Sequence, residues 1–458
     1  MNLYRLLAER EEIGKPIRVG LIGAGKFGAM FLSQARRTPG IHVMGIADLD
    51  RSRASEACTR TGWTPEEIGA SSFSEALEGG STYLTTDAQA LIRADGLEVV
   101  IDSTGNPAAG IKHCLLSIEE GRHIIMPNVE ADVVAGPMLA RLAKSAGVIY
   151  SLAYGDQPSL ICEQIDWARA CGFEVVSAGK GTRYQPHFHY STPDTVWPNF
   201  GLTEEQAERG GMNPKMFNSF IDGTKSGIEM TAVCNASGLT PQPQGLSFPP
   251  VSVNELSEMC KPIEAGGLVS HKGTTEVVSS IKRNGDPVEN HLQMGTYVVV
   301  EADSEYVKNC FEEYHMLPDS TRQYAAMYRP IHMIGLELGI SVASVALRGE
   351  PTGCPDGFRS DVLAVTKKDL RKGEILDGEG GYTVWGKQVP AGASLQFQGL
   401  PLGLSGEKVL QRDIRKGEML RWNDVELGDG DEILRVRKEM EAAFARPNKN
   451  SSRLRTLA

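Results

Sequence analysis

Two stretches of this 458-residue chain crowd together side chains able to move protons or hold anions. In VVSAGKGTRYQPHFHYSTPDTVWPNFG, Lys180, Arg183, Tyr184, His187 and His189 stand beside glycines that let a backbone come close to a ligand. A guanidinium or ammonium holds a phosphate, and an imidazole or phenol exchanges a proton with a carbonyl or hydroxyl oxygen. The plain alternative for each is a residue of a long polar loop. In FIDGTKSGIEMTAVCNASGL, Lys225 and Glu229 are four apart, so a helix carries them on one face, either into a shared cleft or as an exposed ion pair. Two histidines in HFH are too few for a metal site without a third ligand.

A third constellation is GAGKFG. It follows the strand-like run IRVGLIG and opens the helically spaced FGAMFLSQARR. In that context Gly23, Gly25 and Gly28 turn the chain, admit a pyrophosphate and pack helix on strand, with Lys26 and Phe27 between them. A second strand, HVMGIAD, ends in Asp48, about twenty residues beyond the last glycine, where a carboxylate bonds a ribose. Arg51, Ser52 and Arg53 follow at once and can hold a 2′-phosphate, which favours NADPH; the alternative is a solvated helix start. In GLEVVIDSTGNPAAG, Ser103, Thr104, Gly105 and Asn106 fall at a strand's carboxyl end and are candidates to line the nicotinamide ribose.

These residues need a scaffold, and repeated strand–helix–strand units supply one. The expectation is an α/β chain: a Rossmann-type doubly wound sheet over 1–155, an α+β substrate and dimerisation domain over 156–347 whose segment 318–347 returns to the first, and a small β-rich domain with a tail over 348–458. A net charge of −11 argues against nonspecific nucleic-acid binding. Apolar runs fall short of a membrane span, the N-terminus lacks a secretory signal, and eight cysteines without a CxxC pair read as reduced thiols, so a cytoplasmic protein is expected.

GRHIIMPNVEADVVAGPMLARLAKSAGVIYSLAYGDQP resembles the homoserine dehydrogenase family, with Val129 standing where that family has lysine after Asn128. FIDGTKSGIEMTAVCNASGL resembles that family's substrate-facing helix with the signs of its pair swapped, Lys225 and Glu229. With the C-terminal extension, these departures resemble the 1-deoxy-D-xylulose 5-phosphate reductoisomerase-like enzymes. That resemblance implies NADPH-dependent rearrangement and reduction of a sugar phosphate, in isoprenoid precursor synthesis, by a homodimer. Glu229 is then the base, Lys225 or Lys180 its electrostatic partner, and Asn128 part of the opposite wall. A divalent metal, Mg2+ or Mn2+, is left open and without a location. The rival readings are a dehydrogenase of another small polyol or sugar acid, and a non-catalytic nucleotide- or sugar-binding protein. His315, Arg329 and His332 either approach the cleft or serve the core.

The tail holds a repeat. KKDLRKGEILDG and QRDIRKGEMLRW share D-[LI]-R-K-G-E-[IM]-L, and DIRKGEMLRWNDVEL resembles SAF domains. Its Arg-Lys-Gly-Glu turns read as solvated hairpin corners, which favours a structural or dimer-forming role, and ARPNKNSSRLRTLA reads as frayed.

Overall fold

Strands β1 (Ile17–Ile22), β2 (Ile41–Ala47), β3 (Tyr83–Thr85), β4 (Val99–Asp102), β5 (His123–Met126) and β6 (Tyr150–Leu152) form one parallel sheet in the order β3-β2-β1-β4-β5-β6. The computed structural model describes residues 2–209, 211–428 and 431–445. These strands are largely apolar because helices cover both faces, and the two faces belong to separate buried clusters around Val19, Leu21 and Phe31 and around Val100, Ile124 and Leu139. Strand order reverses between β1 and β4, which opens the crevice where such sheets receive ligands.

The second sheet holds β7 (Glu174–Thr182), β8 (Thr274–Ser279), β9 (Thr296–Glu301) and β10 (Tyr324–Arg329) in the order β10-β9-β7-β8. β7 and β8 run parallel, while β9 is antiparallel to both β7 and β10. Helices Gln157–Ala170 and Thr224–Ser237 pack one face through Ile161, Ile165, Met230 and Val233. The chain then rejoins the first core through Leu338, Val342 and Val345. The expected returning segment 318–347 is thus too long at its start, because β10 is hydrogen-bonded to β9 and stays in the second sheet.

The C-terminal domain explains its repeat. β11 (Ser360–Thr366) and β12 (Val384–Pro390) pair antiparallel, and the two copies then pair with each other about a local two-fold. Leu370 and Ile414 exchange both backbone hydrogen bonds at 2.8 Å. Lys372 N–H donates to Asp413 Oδ1 at 2.8 Å, and Lys416 N–H donates to Asp369 Oδ1 at 2.7 Å. Each Asp of the motif therefore anchors the other copy's turn. After the SAF-like β-rich part, helix Glu432–Ala445 packs on the core of the first sheet through Ile433, Val436 and Met440. Its fully buried Arg437 holds Asp361 of β11 in a two-pronged pair at 2.5 and 3.2 Å and also donates to Val134 O. The end expected to fray lies outside the described residues beyond Ala445.

One lysine fastens the C-terminal domain to the middle one. Lys367 Nζ lies 2.7 Å from Asp222 Oδ2 and donates to Ser191 O and Gly381 O, also at 2.7 Å, while both charged side chains are buried. Removing one partner leaves a charge with no counter-ion out of water, at about 3–5 kcal/mol. Lys367→Met is therefore expected to destabilise the protein by about that much in denaturant unfolding, and adding Asp222→Asn is expected to recover most of the loss. Equal, additive losses would show that the pair is not coupled.

Candidate functional site

The glycine turn at the head of the first sheet fits a dinucleotide. Gly23 has φ +94°, and a Cβ on Gly28 would run into the Gly23 carbonyl oxygen. Helix Lys26–Ala35 starts without a side-chain cap, and nothing lies within 4 Å of where Gly25 would carry a Cβ, so the free N–H groups of its first turn face open space. Asp48 is buried; Oδ2 accepts from Ala24 N–H at 2.8 Å, Oδ1 accepts from Asp50 N–H at 3.1 Å, and Arg53 Nε lies 3.5 Å away. Arg51 stands by the Tyr83 ring, 6.0 Å from its centroid, and the Ser52 hydroxyl donates to the capping Asp50. Lys26 reaches toward the middle domain, 5.9 Å from the centroid of the Phe217 ring. Phe27 packs under the returning segment, where its carbonyl lies close to Gly335.

At the end of β4 the polar residues serve the scaffold. Ser103 Oγ donates to Gly23 O at 2.6 Å and so ties the two crevice loops. Thr104 donates to the buried Asp102, Gly105 takes φ +64°, and Asn106 caps helix Pro107–Glu119. Asn128, expected on the substrate wall, is buried with its amide given to Asp102, Thr104 and Asn106 and its oxygen capping helix Val129–Ser145. Asn128 thus gives its amide N–H groups and one oxygen lone pair to the scaffold.

Lys225 and Glu229 also behave otherwise than expected. They share a helix but do not pair with one another. Lys225 pairs with Glu130, on the first turn after β5, and Glu229 pairs with Lys180 of β7. Lys225 thus sets an ammonium beside Glu130, next to Val129 in the chain. The Lys225 side chain keeps 17% of its surface open and Lys180 only 5%, so Lys225 is the ammonium that a small molecule can meet.

The polar stretch beyond β7 is mostly spent internally. His189 Nδ1–H donates to Asp222 O at 2.8 Å, its Nε2 accepts from Tyr184 Oη at 2.8 Å, and the ring stacks on Trp385. Burial pushes its pKa below the ordinary imidazole value. Arg183 Nε donates to Asn199 O at 2.8 Å, and His187 lies exposed on a short helical turn against Phe188. Tyr184, Arg183, His187 and His189 therefore form no common ligand-facing group. His332 Nδ1–H donates to Met294 O within range of the Lys180 and Glu229 charges, Arg329 pairs with Glu337, and His315 is an exposed helix end.

Several members of the site carry no signal in the linear sequence. With Lys180, Lys225 and Lys367 gather Glu130, Asp156, Asp222, Glu229 and Glu379, five carboxyl groups to three ammonium groups. Glu130, Glu229 and Asp222 each own a lysine; Asp156 and Glu379 do not. Burial, then the Glu229 charge, pushes Asp156 up to about 7. Burial, then the Glu130 charge, pushes Glu379 up to about 8. Burial alone would lower the Lys225 pKa, but Glu130, Glu379 and Glu229 outweigh it and hold the ammonium charged.

Residues 155–338 match the family described as oxidoreductase DRL, catalytic domain, and residues 362–426 match the SAF domain. No curated protein matches the chain in sequence. Similar solved structures include a probable dehydrogenase from Thermotoga maritima (12% identity, 73% of this chain and 90% of that one, TM-score 0.37) and an NAD binding oxidoreductase from Klebsiella pneumoniae (14%, 70% and 67%, 0.33). Another is an inositol dehydrogenase homolog from Azotobacter vinelandii complexed with NADH and myo-inositol (21%, 38% and 45%, 0.27). For many of these structures the match spans about half of the other chain. The family match names an oxidoreductase and not a reductoisomerase, and the resemblance to 1-deoxy-D-xylulose 5-phosphate reductoisomerase-like enzymes is corrected accordingly. Among the described residues no three histidine, cysteine or carboxylate side chains are grouped to hold a metal. The chain thus joins a Rossmann-type parallel sheet to a segment similar to an oxidoreductase catalytic domain and a segment similar to a SAF domain.

Proposed function

We propose that this protein is an oxidoreductase that uses NADP(H) to interconvert a hydroxyl and a carbonyl on a small polyol or sugar acid. One observation carries the reading: the partly open Lys225 is held by Glu130 on the first turn after β5, at the carboxyl edge of the parallel sheet where this architecture receives its cofactor. Gly23, Gly25 and the first N–H groups of helix Lys26–Ala35 would hold the pyrophosphate, and Asp48 with Arg51 and Arg53 the adenosine end. When bound, the nicotinamide supplies or accepts the hydride. During reduction a C–H bond forms at the carbonyl carbon, the π pair moves to the oxygen, and the oxygen takes a proton to become a hydroxyl; oxidation reverses each change. Lys225 faces that oxygen with a fixed positive charge in a largely dry site, where such a charge is worth most. The sealed Asp156, whose pKa burial and the Glu229 charge push up to about 7, carries less negative charge there than an ordinary carboxylate.

Of the two expected phosphate anchors, Lys180 is paired with Glu229 and Arg183 donates its Nε–H to Asn199 O. NADP(H) is preferred to NAD(H) because Arg53 offsets Asp48, and because Arg53, with a side chain 62% exposed, and Arg51 both stand open at the end of β2.

The first test is nicotinamide absorbance on mixing the protein and NADP+ or NAD+ with a panel of polyols and sugar acids. Turnover is expected with at least one of them, and none with either cofactor would overturn the reading. Lys225→Met is expected to lower kcat at least about a hundredfold while the Kd for NADPH stays within about twofold. Replacing Arg51 and Arg53 by Ala is expected to raise the KM for NADPH on the order of tenfold and leave that for NADH unchanged; an equal loss for both would remove the NADP assignment.

Asp156 makes a prediction independent of turnover. An acid whose pKa is raised by folding adds stability that is complete below its unfolded value, about 3.9, and lost as pH rises through its folded value, about 7. Asp156→Asn is expected to flatten that fall in thermal denaturation followed across the interval, and an unchanged slope would show that Asp156 is ionised in the folded protein.

A further inference from the structure

The segment Asp377–Thr383 belongs to the SAF domain, yet its backbone is held by the catalytic domain. Lys215 Nζ donates to Asp377 O at 2.6 Å, Asn218 Nδ2 to Gly380 O at 2.9 Å, and Tyr382 Oη to Asp194 Oδ1 at 2.7 Å. Lys367, itself bound to Asp222, donates to Gly381 O at 2.7 Å. From its own side Asp377 Oδ1 accepts from Thr383 N–H at 3.0 Å, which closes the loop. Gly380 is pressed so tightly on the Lys215 carbonyl that any side chain there would collide with it. The residue before it, Glu379, has little freedom of position. Its carboxyl group lies within range of the charges of Glu130, Lys225 and Asp222.

The two acids that lack a lysine differ in access. Asp156 is 4% exposed, whereas Glu379 is half-buried, so Glu379 is the one that a substrate oxygen or water can meet. Both sense Lys225, from different sides: Asp156 with Glu229 and Lys180, Glu379 with Glu130 and Asp222. A hydroxyl or carbonyl oxygen seated on the Lys225 ammonium is therefore next to one reachable acid, and that acid comes from the C-terminal domain.

We propose that the SAF domain completes the oxidoreductase site by delivering Glu379 as the group that exchanges a proton with the substrate oxygen held by Lys225. This rests on the function proposed above. In reduction the Glu379 O–H bond breaks, its proton joins the new alkoxide oxygen, and the carboxylate left behind is stabilised by Lys225; in oxidation the carboxylate takes the hydroxyl proton. A proton from water restores the acid after reduction, so no further reactant is needed.

The test uses the full chain. With carboxyl-13C-labelled glutamate, the resonance lost in Glu379→Gln is followed against pH without substrate. It is expected to titrate well above the ordinary glutamate range and to move higher still in Lys225→Met, which removes the nearest cation. In turnover, Glu379→Gln is expected to lower kcat at least about tenfold and to abolish the alkaline decline of the reduction rate, with Kd for NADPH unchanged and partial rescue by Glu379→Asp. Titration in the ordinary range, no response to Lys225→Met, or wild-type turnover by Glu379→Gln across the pH range would overturn the assignment. A wild-type protein that turns over no member of the panel fails the function above, whereas an active wild type with an indifferent Glu379→Gln fails Glu379 alone.

Discussion

An ammonium taken out of water is tolerable only among carboxylates, and Lys225 is the point where that requirement and the assembly of the molecule meet. Desolvating such a charge costs several kcal/mol even after relaxation, so Lys225 in helix Thr224–Ser237 must find Glu130 in the dinucleotide domain. Lys367 imposes the same condition between the SAF domain and Asp222. Closing the three domains and building the charged seam are therefore one event. The seam then holds more carboxyl groups than ammonium groups, and repulsion together with burial leaves Asp156 and Glu379 holding protons near neutral pH. A chain arranged in this way has a fixed cation and an exchangeable proton side by side, which is what reduction of a carbonyl requires.

Local rules were legible in the sequence. The GAGKFG turn, the alternation of strands and helices and the parallel sheet all follow from spacing over a few residues, and the structure has each of them. The repeat in the tail was visible as a repeat, but its meaning, two turns anchored on one another through Asp369 and Asp413, needs the antiparallel contact of Leu370 with Ile414. Pairing of charges was not legible. A spacing of four says which helix face two residues share and nothing about their partners, and Glu130 lies 95 residues from Lys225. Density of polar residues misled in the same way. Tyr184 and His189 look like ligand-facing groups in one dimension, yet the fold uses them on each other and on the Asp222 carbonyl. Glu379, in the glycine-rich DGEGGY, has no neighbour in sequence that suggests chemistry.

The correction of the reductoisomerase resemblance has a physical lesson of the same kind. That resemblance was read from short strings around Val129 and Lys225, and both strings are real. What they could not convey is that Glu130, Glu229 and Asp222 are each paired with a lysine from another element.

The measurement that tests this account most directly is a crystal structure of the full chain grown with NADPH. The account predicts the pyrophosphate on the N–H groups at the start of helix Lys26–Ala35 and the reactive face of the nicotinamide turned toward the Lys225 ammonium, with room for one small substrate between them. A nicotinamide ring bound elsewhere, or separated from Lys225 by the packed SAF domain, would contradict it.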